Sequence, residues 1–469
     1  MPRSEWIKIA AATCTVILVG CSSPNETPSS TSSSSSGSST SGGQVLPDNP
    51  NVLLVIADDF GVDASVCYSV GTKLGKAPRI KELCDRGVVF DNAWATPTCS
   101  PTRATILTGR HGFRTGIGTQ IIGNMSTALS LDEFTLPRAI EAGNPGTYAS
   151  ACIGKWHLSN SSNGGANHPN IAGFPHYAGS WEGALPDYFA WPRTVDGVTA
   201  NIAEYATTVQ VNDARDFINQ QTGSWFVWLA LNAPHSPFHL PPLDLHTYDY
   251  LDGQPLPMRP VEHYQAMIEA MDTELGRLLD SLPANTLENT WIIFIGDNGT
   301  PRAVVEDPAL APHAKDSLYQ GGIHVPLFVV GPGIVQGGRR VSALVHSVDI
   351  FSTILDLAGI DKVKALPAGL KIDSVSLKPY LENPDQQPLR SWAFTELFGS
   401  ATMVDENGKT IRDEAFKLIR YEDGHSALYD LRTDPKETTD LIAAGALSTE
   451  ATMHRQTLES AMDTLLASK

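Results

Sequence analysis

Hydrophobic residues recur along this chain with two periods. Asn51 to Ala57 is an unbroken aliphatic and β-branched run stopped by Asp58-Asp59-Phe60-Gly61, the pattern of a strand buried on both faces that ends in a loop. Trp225 to Leu231, Trp291 to Ile295 and Val325 to Val330 repeat it, each followed by polar residues and Gly or Pro. Between them, Ala200 to Gln220 and His263 to Leu282 carry apolar residues three and four apart, the period of a helix with one buried face. Strands alternating with helices predict an α/β fold over residues 47–375, with a large, mostly parallel sheet sandwiched by helices. Ligands of such sheets bind at the carboxyl ends of the strands, so the polar residues after each run are the first candidates for function. The pattern changes over residues 376–469. Ser391 to Glu396, Ala415 to Tyr421 and Ala427 to Arg432 read as short strands and a last helix starts near Ser448, which predicts a small C-terminal subdomain with an antiparallel sheet and one helix.

Composition narrows the class. The chain has 469 residues, 42% of them hydrophobic and 8% aromatic, enough for one large core or two to three domains and unlike a chain disordered throughout. Lys plus Arg number 33 against 51 Asp plus Glu, a formal charge of −18. No Lys/Arg stripe focuses an opposite field, so no nucleic-acid partner is expected, and an anionic small substrate requires a few cations gathered at one point.

The first 21 residues read as a signal peptide. Arg3 and Lys8 precede an apolar run, Ile9 to Val19, too short to span a bilayer as a mature helix. Its end, Leu18-Val19-Gly20-Cys21, resembles a bacterial lipobox, which implies lipidation of Cys21 and a mature protein tethered to a membrane through that anchor alone. The alternative is a plain secretory signal. Residues 22–46 are dominated by Ser, Thr, Gly and Pro and predict a disordered tether. The expectation is an exported bacterial lipoprotein, periplasmic or on the cell surface. Export permits disulfides. Cys67 and Cys84 are either bridged or two buried thiols, and spacing does not decide between them.

Chemistry concentrates where strands end. Asp58 and Asp59 follow one buried strand and Asp297 and Asn298 another, so four oxygen donors converge on one sheet edge and suit a hard cation, Ca²⁺ or Mg²⁺, better than Zn²⁺. The segment Pro97 to Arg110 contains Cys99-x-Pro101-x-Arg103. Pro101 suits a first helical turn, which places Cys99 at the positive end of a helix, either as a thiolate nucleophile or as a small buried residue before the helix.

Together these segments resemble the type I sulfatases of the alkaline phosphatase superfamily. The resemblance rests on Val52 to Asp59, Cys99 to Gly109, Gly154-Lys155-Trp156-His157, Ala233-Pro234-His235-Ser236-Pro237, Gly296-Asp297-Asn298-Gly299, and Lys315 before Gly321 to Pro326, in the family's order. Ala427 to Glu437 resembles the family's C-terminal strand and loop. The resemblance implies that a maturation enzyme converts Cys99 to formylglycine. It further implies that Asp58, Asp59, Asp297, Asn298 and residue 99 hold one divalent cation, Ca²⁺ first and Mg²⁺ as the alternative. Arg103 would steady the modified residue, Lys155 and Lys315 would grip sulfate, His157 would serve the formylglycine hydroxyls, and His235 would protonate the leaving oxygen. Two residues depart from the family pattern. Thr147, between Gly146 and Tyr148, adjusts the loop upstream of the strand and bears on the register of Tyr148 and Ser150 but not of Lys155 or His157. Ser159, in place of a common Gly after Leu158, lets the loop beyond take its own course.

The implied activity is hydrolysis of a sulfate ester on a small molecule or glycan, for instance a sulfated carbohydrate or an aryl sulfate. Specificity is expected in Ser159 to Asp196 and Phe238 to Pro260, where Trp181, Tyr188, Phe189 and Trp191 either stack on sugar rings or pack among themselves. The rival readings are a phosphonate or phosphate ester hydrolase of the same superfamily and a non-catalytic, glycan-binding surface lipoprotein.

Overall fold

The computed structural model describes residues 49–254, 258–400 and 403–469. The expected signal peptide, its Cys21 and the whole of the tether lie outside those residues. Ten strands form the main sheet: β1 (Asn51–Ala57), β2 (Val88–Trp94), β3 (Tyr148–Gly154), β4 (His176–Gly179), β5 (Trp191–Val195), β6 (Val198–Ile202), β7 (Ser224–Leu231), β8 (Thr290–Gly296), β9 (Leu327–Val330) and β10 (Arg339–His346). Their spatial order is β10-β2-β9-β8-β1-β7-β3-β4-β5-β6. At its centre β1 pairs in parallel with both β7 and β8, Val55 lying opposite Leu229 on one side and Phe294 on the other.

Every residue of β1 is buried, because the sheet is covered on both faces. Leu53, Val55 and Ala57 enter one core, which also contains the inner faces of helices Pro78–Arg86, Ala206–Asn219 and Pro260–Asp280. Val52, Leu54 and Ile56 point the other way, into a core shared with helices Cys99–Thr108, Leu136–Gly143 and Asp349–Leu357. Each such aliphatic side chain contributes roughly 1.5–3 kcal/mol of gross hydrophobic stabilisation, which holds the strand ends, and hence the site, in register.

The C-terminal region forms a second, four-stranded antiparallel sheet, β11 (Ala393–Leu397), β12 (Gly408–Arg412), β13 (Phe416–Tyr421) and β14 (Ser426–Asp430), in sequential order. The helix Thr449–Ala467 starts where Ser448 Oγ accepts the N–H of Ala451, and it buries Leu458 and Met462 against Leu418 and Leu428.

Several local expectations need correction. Ala200 to Ile202 belong to β6, not to the following helix, which begins at Ala206. Asp196 and Gly197 both have positive φ, 44° and 84°, and close a two-residue hairpin between β5 and β6. Ser159 to Asp196 is thus not simply an irregular loop, since it contains β4 and β5. Within the Val325 to Val330 run, β9 is antiparallel to its neighbours β8 and β2. Cys67 and Cys84 are bridged, tying the loop after β1 to helix Pro78–Arg86.

Candidate active site

The parallel strands β8, β1, β7 and β3 lie side by side, so their carboxyl ends open onto one place. β1 delivers Asp58 and Asp59, β8 delivers Asp297 and Asn298, β3 delivers Lys155 and His157, and the turn after β7 delivers His235. Cys99 is the first residue of helix Cys99–Thr108, and Lys315 arrives from the long connection after β8. Asp59 and His157 are held at positive φ, 66° and 58°, a backbone cost concentrated at the site. Gly154, at φ 94°, ends β3 so close to β7 that a Cβ there would lie 2.0 Å from the Ala230 carbonyl oxygen.

All the candidate side chains come together. The Arg103 guanidinium, fully buried, donates to Asp297 Oδ2 at 2.8 Å and to the Lys155 carbonyl at 2.7 Å, and stands 3.7 Å from Asp58 Oδ1. Lys155 Nζ lies 2.6 Å from Asp58 Oδ2, and Lys315 Nζ 2.5 Å from Asp59 Oδ1. Asn298 Nδ2 donates to Asp59 Oδ1 at 2.8 Å, and the Asp59 N–H donates to Asp297 Oδ1 at 2.9 Å. Each cation expected to hold a substrate or the modified residue thus has an aspartate as its partner.

His157 Nδ1 is 3.1 Å from Cys99 Sγ, and its Nε2 is 3.0 Å from the Ile121 carbonyl. That carbonyl requires the ring hydrogen on Nε2, which leaves Nδ1 as an acceptor facing residue 99. Burial, reinforced by Lys155 and Arg103, holds the His157 pKa well below its ordinary value. His235 Nδ1 lies 2.6 Å from the Ser236 carbonyl, and Nε2 stands 3.6 Å from Asp59 Oδ2. Burial takes its pKa down to about 4, with Asp59 opposing and Lys155 and Lys315 assisting. Burial also pushes the Cys99 thiol up, against the pull of Lys155 and Lys315, so an unmodified Cys99 is not held as a thiolate.

The donor set fits a hard cation. Asp58 Oδ1 and Asn298 Oδ1 are buried with no hydrogen-bond partner among the described residues. Ligand atoms of Asp58, Cys99 and Asp297 lie within 4.8 Å of one another, as do those of Asp58, Asp59 and His235. Burial and Asp297 push the Asp58 carboxyl above its usual range, opposed by Lys155 and Arg103. Orphaned acceptors and crowded carboxylates are what a divalent ion would satisfy.

A family model described as Sulfatase matches residues 50–360, and one described as N-sulphoglucosamine sulphohydrolase, C-terminal, matches residues 313–463. The chain belongs to the sulfatase family. It is 28% identical over 375 residues to the uncharacterized sulfatase YdeN of Escherichia coli, covering 74% of this chain and 64% of that one. It is 28% identical over 383 residues to N-acetylgalactosamine-6-sulfatase of Canis lupus familiaris, covering 72% and 67%. The chain therefore spans about two thirds of the length of these relatives. A crystal structure of Ps i-CgsB in complex with k-i-k-neocarrahexaose shares the fold, with a TM-score of 0.72 and 23% identity over 88% of this chain and 92% of that one.

In this sulfatase-family chain a cavity of about 600 Å³ opens over Cys99 and His157, lined also by Asn160, Trp181, His235 and Lys315. Trp181 is half-buried on its wall, whereas Tyr188 and Trp191 are core residues and do not face it. The Tyr188 hydroxyl lies 2.6 Å from the Asn232 carbonyl and 2.8 Å from that of His235, which fixes the His235 turn. The Tyr264 hydroxyl donates to the Asp59 carbonyl at 2.7 Å, steadying the strained residue from behind. Neither tyrosine stands out in the sequence in this role, because each acts through a backbone carbonyl. Gly183 packs on the His157 ring, where a Cβ would meet Nε2 at 2.5 Å.

Proposed function

We propose that the chain hydrolyses a sulfate ester carried by a carbohydrate, using formylglycine at position 99 and one divalent cation, Ca²⁺ before Mg²⁺. The observation that carries this reading is the meeting of Cys99, at a helix N-terminus, with Asp58, Asp59, Asp297, Asn298, Arg103, Lys155, Lys315, His157 and His235 at the ends of adjacent parallel strands. Names of relatives support a sugar ester: one is an N-acetylgalactosamine-6-sulfatase, and one fold neighbour was crystallised with a neocarrahexaose.

Asp58, Asp59, Asp297 and Asn298 would hold the cation, which would acidify the attacking hydroxyl and neutralise charge on the sulfuryl oxygens. Formylglycine at position 99 would supply, as its hydrate, a hydroxyl nucleophile and a second hydroxyl through which the sulfate could be released. His157 Nδ1, neutral and facing residue 99, is placed to take up a proton there. Lys155 and Lys315 neutralise the non-bridging sulfate oxygens, and Arg103 holds Asp297 and the Lys155 backbone in place. His235, whose Nδ1–H is held by the Ser236 carbonyl, can deliver a proton from Nε2 to the leaving oxygen only as the imidazolium, and it would take that proton from solvent when the anionic sulfate ester binds beside it. Its pKa of about 4 in the free protein would rise once the negative charge of the bound sulfate ester stands beside it, before the bond to the leaving oxygen breaks.

Membrane attachment through Cys21, after action of a lipoprotein signal peptidase, is part of the same proposal. Metabolic labelling with an alkynyl palmitate would mark the wild type but not Cys21→Ser, and equal labelling of both would exclude it. The activity is tested by comparing turnover of 4-nitrophenyl sulfate and sulfated monosaccharides with that of aryl phosphate and phosphonate esters. Faster phosphonate or phosphate turnover would replace the sulfatase reading. An ordinary thiol at Cys99, seen by mass spectrometry of the protein from its native host, would remove formylglycine catalysis and favour a binding role.

A further inference from the structure

A second cavity, of about 470 Å³, lies on the other side of the catalytic groups, lined by Asp59, Ser236, Arg302 and Glu406 among others. Its wall and that of the 600 Å³ cavity have His235, Lys315 and Asp316 in common. Two of these have roles above. Asp316 has none.

Three observations mark Asp316. Its φ is 76°, in the left-handed region, where glycine costs less than a residue with a side chain. That backbone is pinned: its N–H donates to the Pro97 carbonyl at 3.0 Å, two residues from Cys99, and the Lys315 N–H donates to the Thr300 carbonyl at 3.1 Å. Its carboxylate Oδ1 is buried with no hydrogen-bond partner among the described residues. Lys315, its neighbour in sequence, has its ammonium group on Asp59 instead. An acceptor left without a donor at the junction of two clefts is costly to the free protein, and a ligand hydroxyl would relieve that cost.

We propose that Asp316 is a specificity-determining residue that accepts a hydrogen bond from a hydroxyl of the sulfated sugar, beside the carbon that carries the sulfate. This rests on the sulfate-ester reading of the site and extends it to the substrate class: a polyhydroxylated ring with a free hydroxyl next to the ester. His235 and Lys315 place the sulfate and its leaving oxygen at the junction, and the ring that carries them must pass the same junction. A carboxylate there accepts from a hydroxyl and repels a second sulfate. The adjacent position is therefore read as free hydroxyl, not as a vicinal disulfate.

The test compares the wild type with Asp316→Gly and Asp316→Asn on two probes. One is 4-nitrophenyl sulfate, which has no hydroxyl. The other is a set of monosulfated glucose, galactose and N-acetylglucosamine isomers, with the deoxy analogue of the best one. Gly suits φ 76°, so Asp316→Gly should fold with an unchanged or higher Tm. Loss of one charge-assisted hydrogen bond predicts that the ratio of sugar-sulfate to aryl-sulfate kcat/KM falls about tenfold or more in Asp316→Gly, mostly through KM. Asn, still an acceptor, should recover part of it, and the deoxy sugar should show no such fall. An equal fall on both probes would assign Asp316 a role through Lys315 and overturn the proposal. So would an unchanged ratio, or cleavage of the aryl sulfate with no sugar sulfate turned over. Absence of any sulfate-ester turnover by the matured wild type would instead remove the sulfatase reading itself.

Discussion

Glu396 offers a quantitative test of how the C-terminal sheet is seated. It lies in β11, is 3% exposed, and its Oε1 accepts the Phe113 N–H at 2.6 Å while Oε2 is buried without a partner. Burial raises its pKa from 4.5 to about 7, against the pull of the Phe113 N–H and Lys409. That gap, at about 1.4 kcal/mol per pH unit, corresponds to about 3 kcal/mol. The folded state binds the proton more tightly than the unfolded state. The stabilisation is therefore complete below pH 4.5 and is lost as the pH rises through about 7. Gln keeps an acceptor for the Phe113 N–H and cannot ionise, so E396Q should escape this loss. An amide NH₂ in place of Oε2 adds a cost that does not vary with pH, so the informative quantity is the change in the Tm difference. For a folded region of this size, with an unfolding entropy of about 0.9 kcal/mol/K, Tm of E396Q minus Tm of wild type should grow by about 3 °C between pH 4.5 and 8. Differential scanning calorimetry across that range measures it. A difference that stays flat, or grows toward acid pH, would refute the account of Glu396 as a carboxyl whose burial outweighs the pull of Lys409.

Further outcomes follow from the same geometry. Cys99→Ala should abolish sulfate-ester turnover and leave the Tm within about 2 °C, because the side chain removed is small and adds little apolar area; calorimetry and an aryl-sulfate assay read both. Chelation with EDTA should remove turnover and also weaken binding of inorganic sulfate at least tenfold by titration calorimetry, with Ca²⁺ restoring both. Unchanged sulfate binding would show that the lysines hold the anion without the ion. Reduction of the Cys67–Cys84 bridge, which spans 17 residues, should cost about 3 kcal/mol of stability in denaturant titrations.

The centre of the molecule was legible because its strands are buried on both faces: β1, β7 and β8 read as continuous apolar runs, and the polar residue after each run is where the side chains of the site emerge. Legibility fell where residues answer to neighbours distant in sequence. β6 is mostly exposed, so its second half, Ala200 to Ile202, merged with the helix that follows, although Asp196-Gly197 is a hairpin signal. β12, Gly408–Arg412, opens with Gly and Lys and is a strand because it lies between β11 and β13. The direction of β9 is set by its neighbours, since a buried run reads the same either way. Tyr188 and Trp191 look like sugar platforms by composition, yet burial assigns them to the core. Asp316 was hidden for another reason: its significance lies in a backbone conformation and an unpaired oxygen, and neither is written in the residue type.

The electrostatics of the site can be resolved pair by pair. A chain of net charge −18 was expected to need gathered cations before it could hold an anion. Arg103, Lys155 and Lys315 are gathered, but each faces its own carboxylate: Asp297, Asp58 and Asp59. With all six groups ionised the charges cancel by count, so the lysines and the arginine bring no surplus positive charge of their own. Coulomb attraction between buried charges in contact is strong, and neither lysine can turn to a substrate oxygen while its aspartate is left buried and unpaired. The lysines become available only if something else takes up the carboxylate oxygens. A divalent cation held by Asp58, Asp59, Asp297 and Asn298 would do so, and its two positive charges would become the net charge of the whole set. On this arithmetic, and on the proposed function, the aspartates would serve catalysis less by their own charge than by deciding when Lys155 and Lys315 are free, and metal loss should be felt in sulfate binding as well as in turnover.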